Sequence, residues 1–158
     1  MEASQAYFSE AVAAMETLYG RDVPMSMATV DGDRPGVRVV DVYFFGGAFY
    51  AVTHRKSAKM REISKNPNVA LNHLLFVTRG RAESVGHPLA EGNEALRGEL
   101  TRAFSKFYAR HVNENDPDTC ILKIAPVWAL VFANGFKYAA DFKTMSATRQ
   151  FFVTDILL

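Results

Sequence analysis

Four polar side chains in the first half of the chain could together bind a phosphate. Arg38 lies among valines on a predicted strand, Thr53 ends another strand, and Ser57 and Lys59 open a predicted helix. The first N–H groups of a helix lack intrahelical partners and carry the positive end of its dipole, so they favour anions. A lysine in that first turn is repelled by the positive end of the helix dipole unless a bound anion neutralises both the lysine and the dipole. We therefore expect these donors to converge on one phosphate monoester.

Each of these residues also has a simpler explanation. A serine before a helix usually caps it, a lysine in a first turn is usually solvated, and threonine is common in strands. Arg38 could pair with Asp33 or Asp41. The hypothesis therefore rests on the order and spacing of the four residues, since none of them is specific alone.

Hydrophobic periodicity and turn residues predict short strands interrupted by helices. Pro126, inside a late strand, predicts a bulge or an edge position there. The predicted helices cover residues 7–19, 58–65 and 90–112, and the predicted strands cover 25–30, 37–45, 48–54, 69–77, 81–87, 120–133 and 136–142.

Several predicted strands are apolar on both faces. Between Val37 and Phe45, valine and aromatic residues occur at both odd-numbered and even-numbered positions, so they lie on both faces of the strand. Such strands suit a closed barrel whose outer surface is covered by helices or by another subunit. We predict one mostly β (α+β) domain over residues 1–158. A chain this short cannot cover both faces with long helices, so we also expect a homodimer.

Composition excludes several classes of partner. Lysine and arginine total 18 against 17 acidic residues, so no net field recruits nucleic acid or a membrane surface. No apolar run is long enough to span a bilayer, and acidic residues interrupt the N-terminal segment. The single cysteine, Cys120, and four scattered histidines show no metal-ligand spacing. We expect a cytoplasmic protein that binds a small molecule and no metal.

The segment from Pro24 to Gly86 resembles the pyridoxamine 5'-phosphate oxidase-like family of FMN-binding split barrels. In that family an arginine on the second strand, a threonine ending the third, and a serine and lysine opening the next helix hold the FMN phosphate. Arg38, Thr53, Ser57 and Lys59 match those positions, and Asn66-Pro67 matches the end of the helix. The resemblance implies an antiparallel split β-barrel of six to seven strands with flanking helices.

The resemblance also implies where FMN binds. Backbone of Arg38, Val39 and Val40, and of Val52 and Thr53, would line its ribityl chain and isoalloxazine ring. The ring would lie at the interface of a homodimer, and the partner would add an aromatic residue, for which the candidates are Trp128 and Phe132.

The sequence departs from the family pattern at three places. The family often has a basic residue just before the helix lysine; here that position is Ala58, although Arg55 and Lys56 lie near enough to substitute. The position at which authentic pyridoxamine phosphate oxidases carry a glutamine on the fourth or fifth strand falls near Leu75. The family's substrate motif of arginine, histidine and arginine falls on residues 137–141, which read Lys-Tyr-Ala-Ala-Asp. Vitamin B6 oxidation is therefore not expected.

The resulting hypothesis is an FMN-dependent oxidoreductase that acts on a small molecule, with NADH or NADPH as the electron donor. The alternatives are a non-catalytic protein that binds a flavin, a deazaflavin or heme, and a structural dimer with a vestigial phosphate site. Only one histidine, His54, adjoins the expected site, and catalytic residues stay unassigned. The apolar C-terminal residues 151–153 and 156–158 should be covered by protein.

Overall fold

A computed structural model describes residues 1–153 as an antiparallel β-sheet that closes on itself. Its eight strands follow the order β3-β2-β1-β4-β5-β6-β7-β8, and β3 also pairs with β6. The strands are β1 (Val23–Asp31), β2 (Arg34–Phe45), β3 (Ala48–His54), β4 (Asn68–His73), β5 (Phe76–Ser84), β6 (Thr119–Ala133), β7 (Phe136–Asp141) and β8 (Ser146–Phe151).

The pairing of β3 with β6 makes a six-stranded barrel, and β7 and β8 extend the sheet beyond β6. This confirms the prediction of a mostly β, antiparallel split barrel with flanking helices. Side chains alternate between the barrel interior and the outer face, as the period of two in a strand requires. The interior is filled with large apolar side chains, among them Met25, Met27, Phe44, Phe49 and Leu71.

Helices cover parts of the barrel. α1 (Gln5–Tyr19) and α2 (Ala58–Lys65) add apolar residues to the cluster that fills the barrel interior. α3 (Glu94–Ala103) and α4 (Tyr108–His111) form a second cluster outside it, where Leu100 and Phe104 pack on Tyr43 and Ile121. No helix among the described residues is long and apolar enough to cross a bilayer.

The strand predicted over residues 69–77 ends earlier than expected, at His73. The chain turns at Leu74 and Leu75, and a new strand begins at Phe76. Leu74 has a φ of 54° without being a glycine, and the Asn72 side-chain amide donates to the carbonyls of Leu74 (2.9 Å) and Phe76 (2.8 Å). An asparagine side chain thus organises a turn that lacks the usual glycine or proline.

The long helix predicted over residues 90–112 is two shorter helices. Gly92 has a φ of 89°, and the Asn93 side chain donates to the carbonyls of Val85 and His87, so α3 begins only at Glu94. After Ala103 the chain forms turns around the buried Phe104 before α4 begins. The apolar periodicity was real, but tertiary contacts interrupt the helix.

The late strands carry a bulge and an additional strand. The register of β5 against β6 shifts between Arg79 and Gly80, opposite Pro126, which confirms the predicted bulge. The sequence analysis missed β8, which follows a turn held by the Asp141 carboxylate and pairs along β7. Of the two apolar C-terminal segments, residues 156–158 lie outside the described residues. In the other, Phe152 packs on Phe132, whereas Phe151 and Val153 are exposed in the single chain.

Candidate phosphate and cofactor site

The hairpin of β2 and β3 is open at the segments expected to line a cofactor. The two strands pair only from Tyr43–Tyr50 to Phe45–Ala48, and β3 then follows β6. The backbone of residues 38–42 therefore pairs with β1 on one edge and with no strand on the other. We call this opening the split. It exposes unpaired backbone donors and acceptors, which can bind a polar ring edge.

The N-terminus of α2 follows directly from the end of β3. The first intrahelical bond runs from the Arg61 amide to the Ser57 carbonyl (3.0 Å), so the N–H groups of residues 58–60 precede it. Those three N–H groups have no acceptor within residues 1–153. The helix start is therefore a free anion-binding surface beside the split.

Ser57 lies at the N-cap position but does not cap the helix with its side chain. Its Oγ is shielded from solvent and has no hydrogen-bond partner among the described residues. Ser57 therefore occupies the predicted N-cap position, but the expected capping hydrogen bond of its side chain is not formed. An orphaned hydroxyl at this position is costly unless a ligand satisfies it, so it favours a bound anion.

Arg38 points towards α2 and is tied to it. Its Nη1 donates to Oγ1 of Thr29 and to the Met27 carbonyl (3.4 Å), and its Nη2 donates to Oε2 of Glu62 (3.1 Å). The suggested partners Asp33 and Asp41 do not bond it. Because a guanidinium has five N–H donors, the Nε–H and a second Nη2 hydrogen stay available.

Lys59 is half-buried in the first turn of α2 and forms no ion pair within residues 1–153. Burial, and secondly the nearby Arg38 cation, lower its pKa below 10.5. Cys120, which pairs with Thr53 in the β3–β6 ladder, is also close enough to affect it. The structure thus brings Arg38 and Lys59 together beside the helix start, and a desolvated cation pair of this kind attracts an anion.

Comparison with known proteins identifies the family of this chain. The sequence profile of the pyridoxamine 5'-phosphate oxidase family matches residues 11–132, which is more than half of the chain. The chain belongs to this family. No curated protein matches the sequence significantly.

Solved structures share the fold of this family member at low sequence identity. An F420 reductase is 24% identical with a TM-score of 0.55, and the match covers 72% of this chain and 94% of that one. An FAD-binding protein from Mesorhizobium loti is 17% identical (TM-score 0.60; 75% and 91% covered). A heme binding protein from Mycobacterium smegmatis is 15% identical (TM-score 0.63; 92% and 61% covered).

The two basic residues suggested as substitutes for the family's missing cation are already paired. Arg55 and Lys56 both bond the Asp118 carboxylate, at 2.6 and 2.7 Å. These bonds hold the pKa of Asp118 down at about 2. His54, the histidine nearest the site, lies 3.2 Å from the carboxylate of Asp116. Arg55 and Lys56 are therefore committed to Asp118.

The two aromatic candidates lie outside the cluster of Arg38, Lys59 and the α2 start. Arg79 stacks over the Trp128 ring at 4.7 Å, and Phe132 packs edge-on against Phe152. The sequence predicts that one of them approaches the ring from the partner subunit. Their contribution from a second chain stays a prediction.

The sequence analysis missed three residues around this candidate site, which are Thr29, Gly36 and Glu62. Thr29, on β1, is buried; its hydroxyl accepts from Arg38 and donates to Glu62 on α2. A signal was present, since an arginine on a barrel strand needs a carboxylate partner. Gly36 also matters, because a Cβ there would lie 3.0 Å from Nη2 of Arg38.

Replacing Lys59 by methionine should stabilise the ligand-free protein slightly. The change removes a desolvated cation beside Arg38, and a rise in Tm of about 1–3 °C is expected. The penalty is present below the folded-state pKa of Lys59, so the gain should fade as the pH rises towards 10.5. Thermal denaturation between pH 7 and 10 measures it. Lys65→Met at the exposed end of α2 is the control and should give no gain; a less stable Lys59→Met protein would contradict this account.

Proposed function

We propose that this protein binds FMN at the split and works as an FMN-dependent oxidoreductase. One observation carries the proposal: two neighbouring cations, an orphaned buried hydroxyl and a free helix N-terminus lie next to an open strand pair. A phosphate monoester joined to a flat polar ring matches that combination. Membership of the family and flavin-related names among the similar folds support it.

The residues would divide the work of binding FMN. Lys59, Arg38 and the first N–H groups of α2 hold the phosphate, and Thr53 and Ser57 contribute hydroxyl groups. The backbone of Arg38, Val39 and Val40, opposite that of Val52, lines the split and orients the ring. When bound, FMN supplies the ability to accept and return a hydride or single electrons.

The outer face of β2, β1, β4, β5 and β6 supports a homodimer. Helices α3 and α4 cover only the part near Tyr43 and Ile121. Val37 and Val39 are each 68% exposed, and Val127 is 44% exposed. A groove of about 620 Å³ runs over the same face, lined in part by Ala28, Val30, Ala70 and Trp128. We call this surface the open sheet face; apolar surfaces of this kind are usually interfaces.

The position of the open sheet face bears on the cofactor. Val37 and Val39 lie on β2. One edge of this strand pairs with β1, and the opposite edge borders the split. A second copy seated on this face would reach the border of the split. FMN at the interface, with Trp128 or Phe132 of the partner near the ring, follows from that arrangement.

NADH or NADPH is proposed as the electron donor and a small molecule as the substrate; nucleic acid and membranes are not proposed partners. A non-catalytic cofactor carrier is the second candidate, and the heme binding protein of the same fold favours it. The free, buried Cys120 agrees with a cytoplasmic location.

Spectroscopy of the purified protein separates these readings. The proposal expects flavin absorbance, FMN identified by mass after denaturation, and bleaching by NADH or NADPH followed by reoxidation with a substrate. FMN that resists reduction by either nucleotide would favour the carrier. Failure to bind FMN on reconstitution would reject the proposed function.

Pyridoxine phosphate and pyridoxamine phosphate should not be oxidised. By the resemblance, the family's substrate motif falls on residues 137–141 of β7, where Tyr138 and Ala140 point into the core and the Tyr138 hydroxyl donates to Glu10 (2.9 Å). Residues 137–141 contain no histidine and no arginine that could bind the substrate. Turnover assays with the FMN-loaded protein test this, and oxidation of either compound would show the assignment of β7 to be wrong.

A further inference from the structure

Glu62 is placed where it affects the proposed phosphate site directly. It lies on α2, three residues after Lys59, and its Oε2 accepts hydrogen bonds from Nη2 of Arg38 and from the Thr29 hydroxyl. The Thr29 hydroxyl in turn accepts from Nη1 of Arg38. The three side chains form a closed ring of hydrogen bonds between β1, β2 and α2.

The charges of this cluster are not balanced for a phosphate. Arg38 and Lys59 supply two positive charges, and Glu62 is the carboxylate that pairs with Arg38 among the described residues. The Thr29 bond, and then Arg38, lower the pKa of Glu62, so it is ionised at neutral pH. Without a ligand, Glu62 compensates one of the two cations.

A bound phosphate would share Arg38 with this carboxylate. Arg38 keeps its Nε–H and one Nη2 hydrogen free, so the phosphate would bind next to the Glu62 oxygen that accepts from the same nitrogen. The phosphate and the Glu62 carboxylate would then bind the same guanidinium and repel each other, and partial burial reduces the screening of this repulsion by water.

We infer that Glu62 is a resident counter-ion of the phosphate site, which stabilises the empty site and weakens the binding of a phosphate dianion. This inference rests on the proposed function. It assigns Glu62 a role in setting the affinity for phosphate-bearing ligands, distinct from the binding role of Lys59 and Arg38.

Glu62→Gln tests the inference, because glutamine keeps an acceptor for Arg38 and Thr29 but removes the charge. FMN affinity should rise about 3- to 10-fold, riboflavin affinity should stay unchanged, and the Tm of the ligand-free protein should fall. Glu94→Gln, at an exposed position on α3, changes the net charge equally and is the matched control, with no expected effect on either flavin.

Two further variants keep the test decisive. Glu62→Asp retains the charge and should not tighten FMN binding. Glu62→Ala removes both charge and contact, and it should tighten FMN binding less than glutamine does, because Arg38 then loses an orienting partner. It also serves if the glutamine variant does not fold.

The outcomes distinguish this inference from the proposed function. If the wild type prefers FMN over riboflavin but neither folded charge-removing variant binds FMN more tightly, the counter-ion role is overturned and the site stands. If the wild type binds the two flavins equally, the phosphate site itself is wrong, and the role of Glu62 fails with it.

Discussion

Lys59→Ala and Arg38→Ala should each weaken FMN binding by roughly one to two decades. Each change removes one charge-assisted partner of a phosphate that carries close to two negative charges, at a cost of about 1.5 to 3 kcal/mol. Thr53→Val and Ser57→Ala remove neutral hydroxyls, so their effects should be smaller. Fluorescence titration of each folded variant with FMN gives these values.

Two comparisons isolate the phosphate in this experiment. Riboflavin lacks the phosphate, so its weaker binding should change much less in both variants. Lys65→Ala removes a cation from the last turn of the same helix and should leave FMN binding nearly unchanged. Equal losses for FMN and riboflavin in folded protein would show that Lys59 and Arg38 do not anchor the phosphate.

Val39→Asp should convert the proposed homodimer to monomers. Val39 projects from the open sheet face with 68% exposure in the single chain, and in a two-fold dimer the substitution introduces two carboxylates into an apolar interface. An unpaired buried charge costs about 3–5 kcal/mol, so the dimer should weaken more than roughly 1,000-fold. Sedimentation at micromolar concentration measures it.

Leu89→Asp is the control for the dimer experiment. Leu89 is 58% exposed and lies in the loop between β5 and α3, outside the five strands that form the open sheet face, so the variant should remain dimeric. FMN affinity should also fall in Val39→Asp if the partner completes the ring site. A wild type that is a folded monomer at micromolar concentration, or a Val39→Asp protein that stays dimeric, would contradict the proposed interface.

The elements with local boundary signals were predictable from the sequence. The strand Ala48–His54 and the helix Ala58–Lys65 match the prediction at both ends. Gly46-Gly47 forms the preceding turn with positive φ angles, and Asn66-Pro67 cannot continue the helix. Residues close in sequence set these limits, so no knowledge of tertiary structure was needed.

Where individual asparagine side chains bond the backbone of a turn, hydrophobic periodicity was insufficient to place the ends of the elements. The turn at Leu74 depends on the Asn72 side chain, and the start of α3 depends on Asn93 reaching the carbonyls of Val85 and His87. Hydrophobic periodicity identified the apolar faces correctly, but it predicted one continuous strand over residues 69–77 and one continuous helix over residues 90–112, where the chain is interrupted. It also gave no sign of β8, whose polar sequence from Ser146 to Gln150 resembles a loop.

The candidate site shows the same division. The sequence order of Arg38, Thr53, Ser57 and Lys59 predicted a phosphate anchor, and the structure places Arg38 and Lys59 beside the α2 start. The bond between Arg38 and Glu62 joins β2 to α2, and only the packing of the helix on the barrel creates it. The unpaired edge of β2 likewise depends on β3 leaving it to follow β6.

The relative affinity of the wild-type apoprotein for FMN and riboflavin tests the central claim most directly. The two flavins share the ring and the ribityl chain, so the ratio measures the phosphate contribution alone. With two cations and a free helix N-terminus at the site, calorimetric titration should show FMN binding at least about 100-fold more tightly than riboflavin. Equal affinities, or no binding of either flavin, would contradict the account.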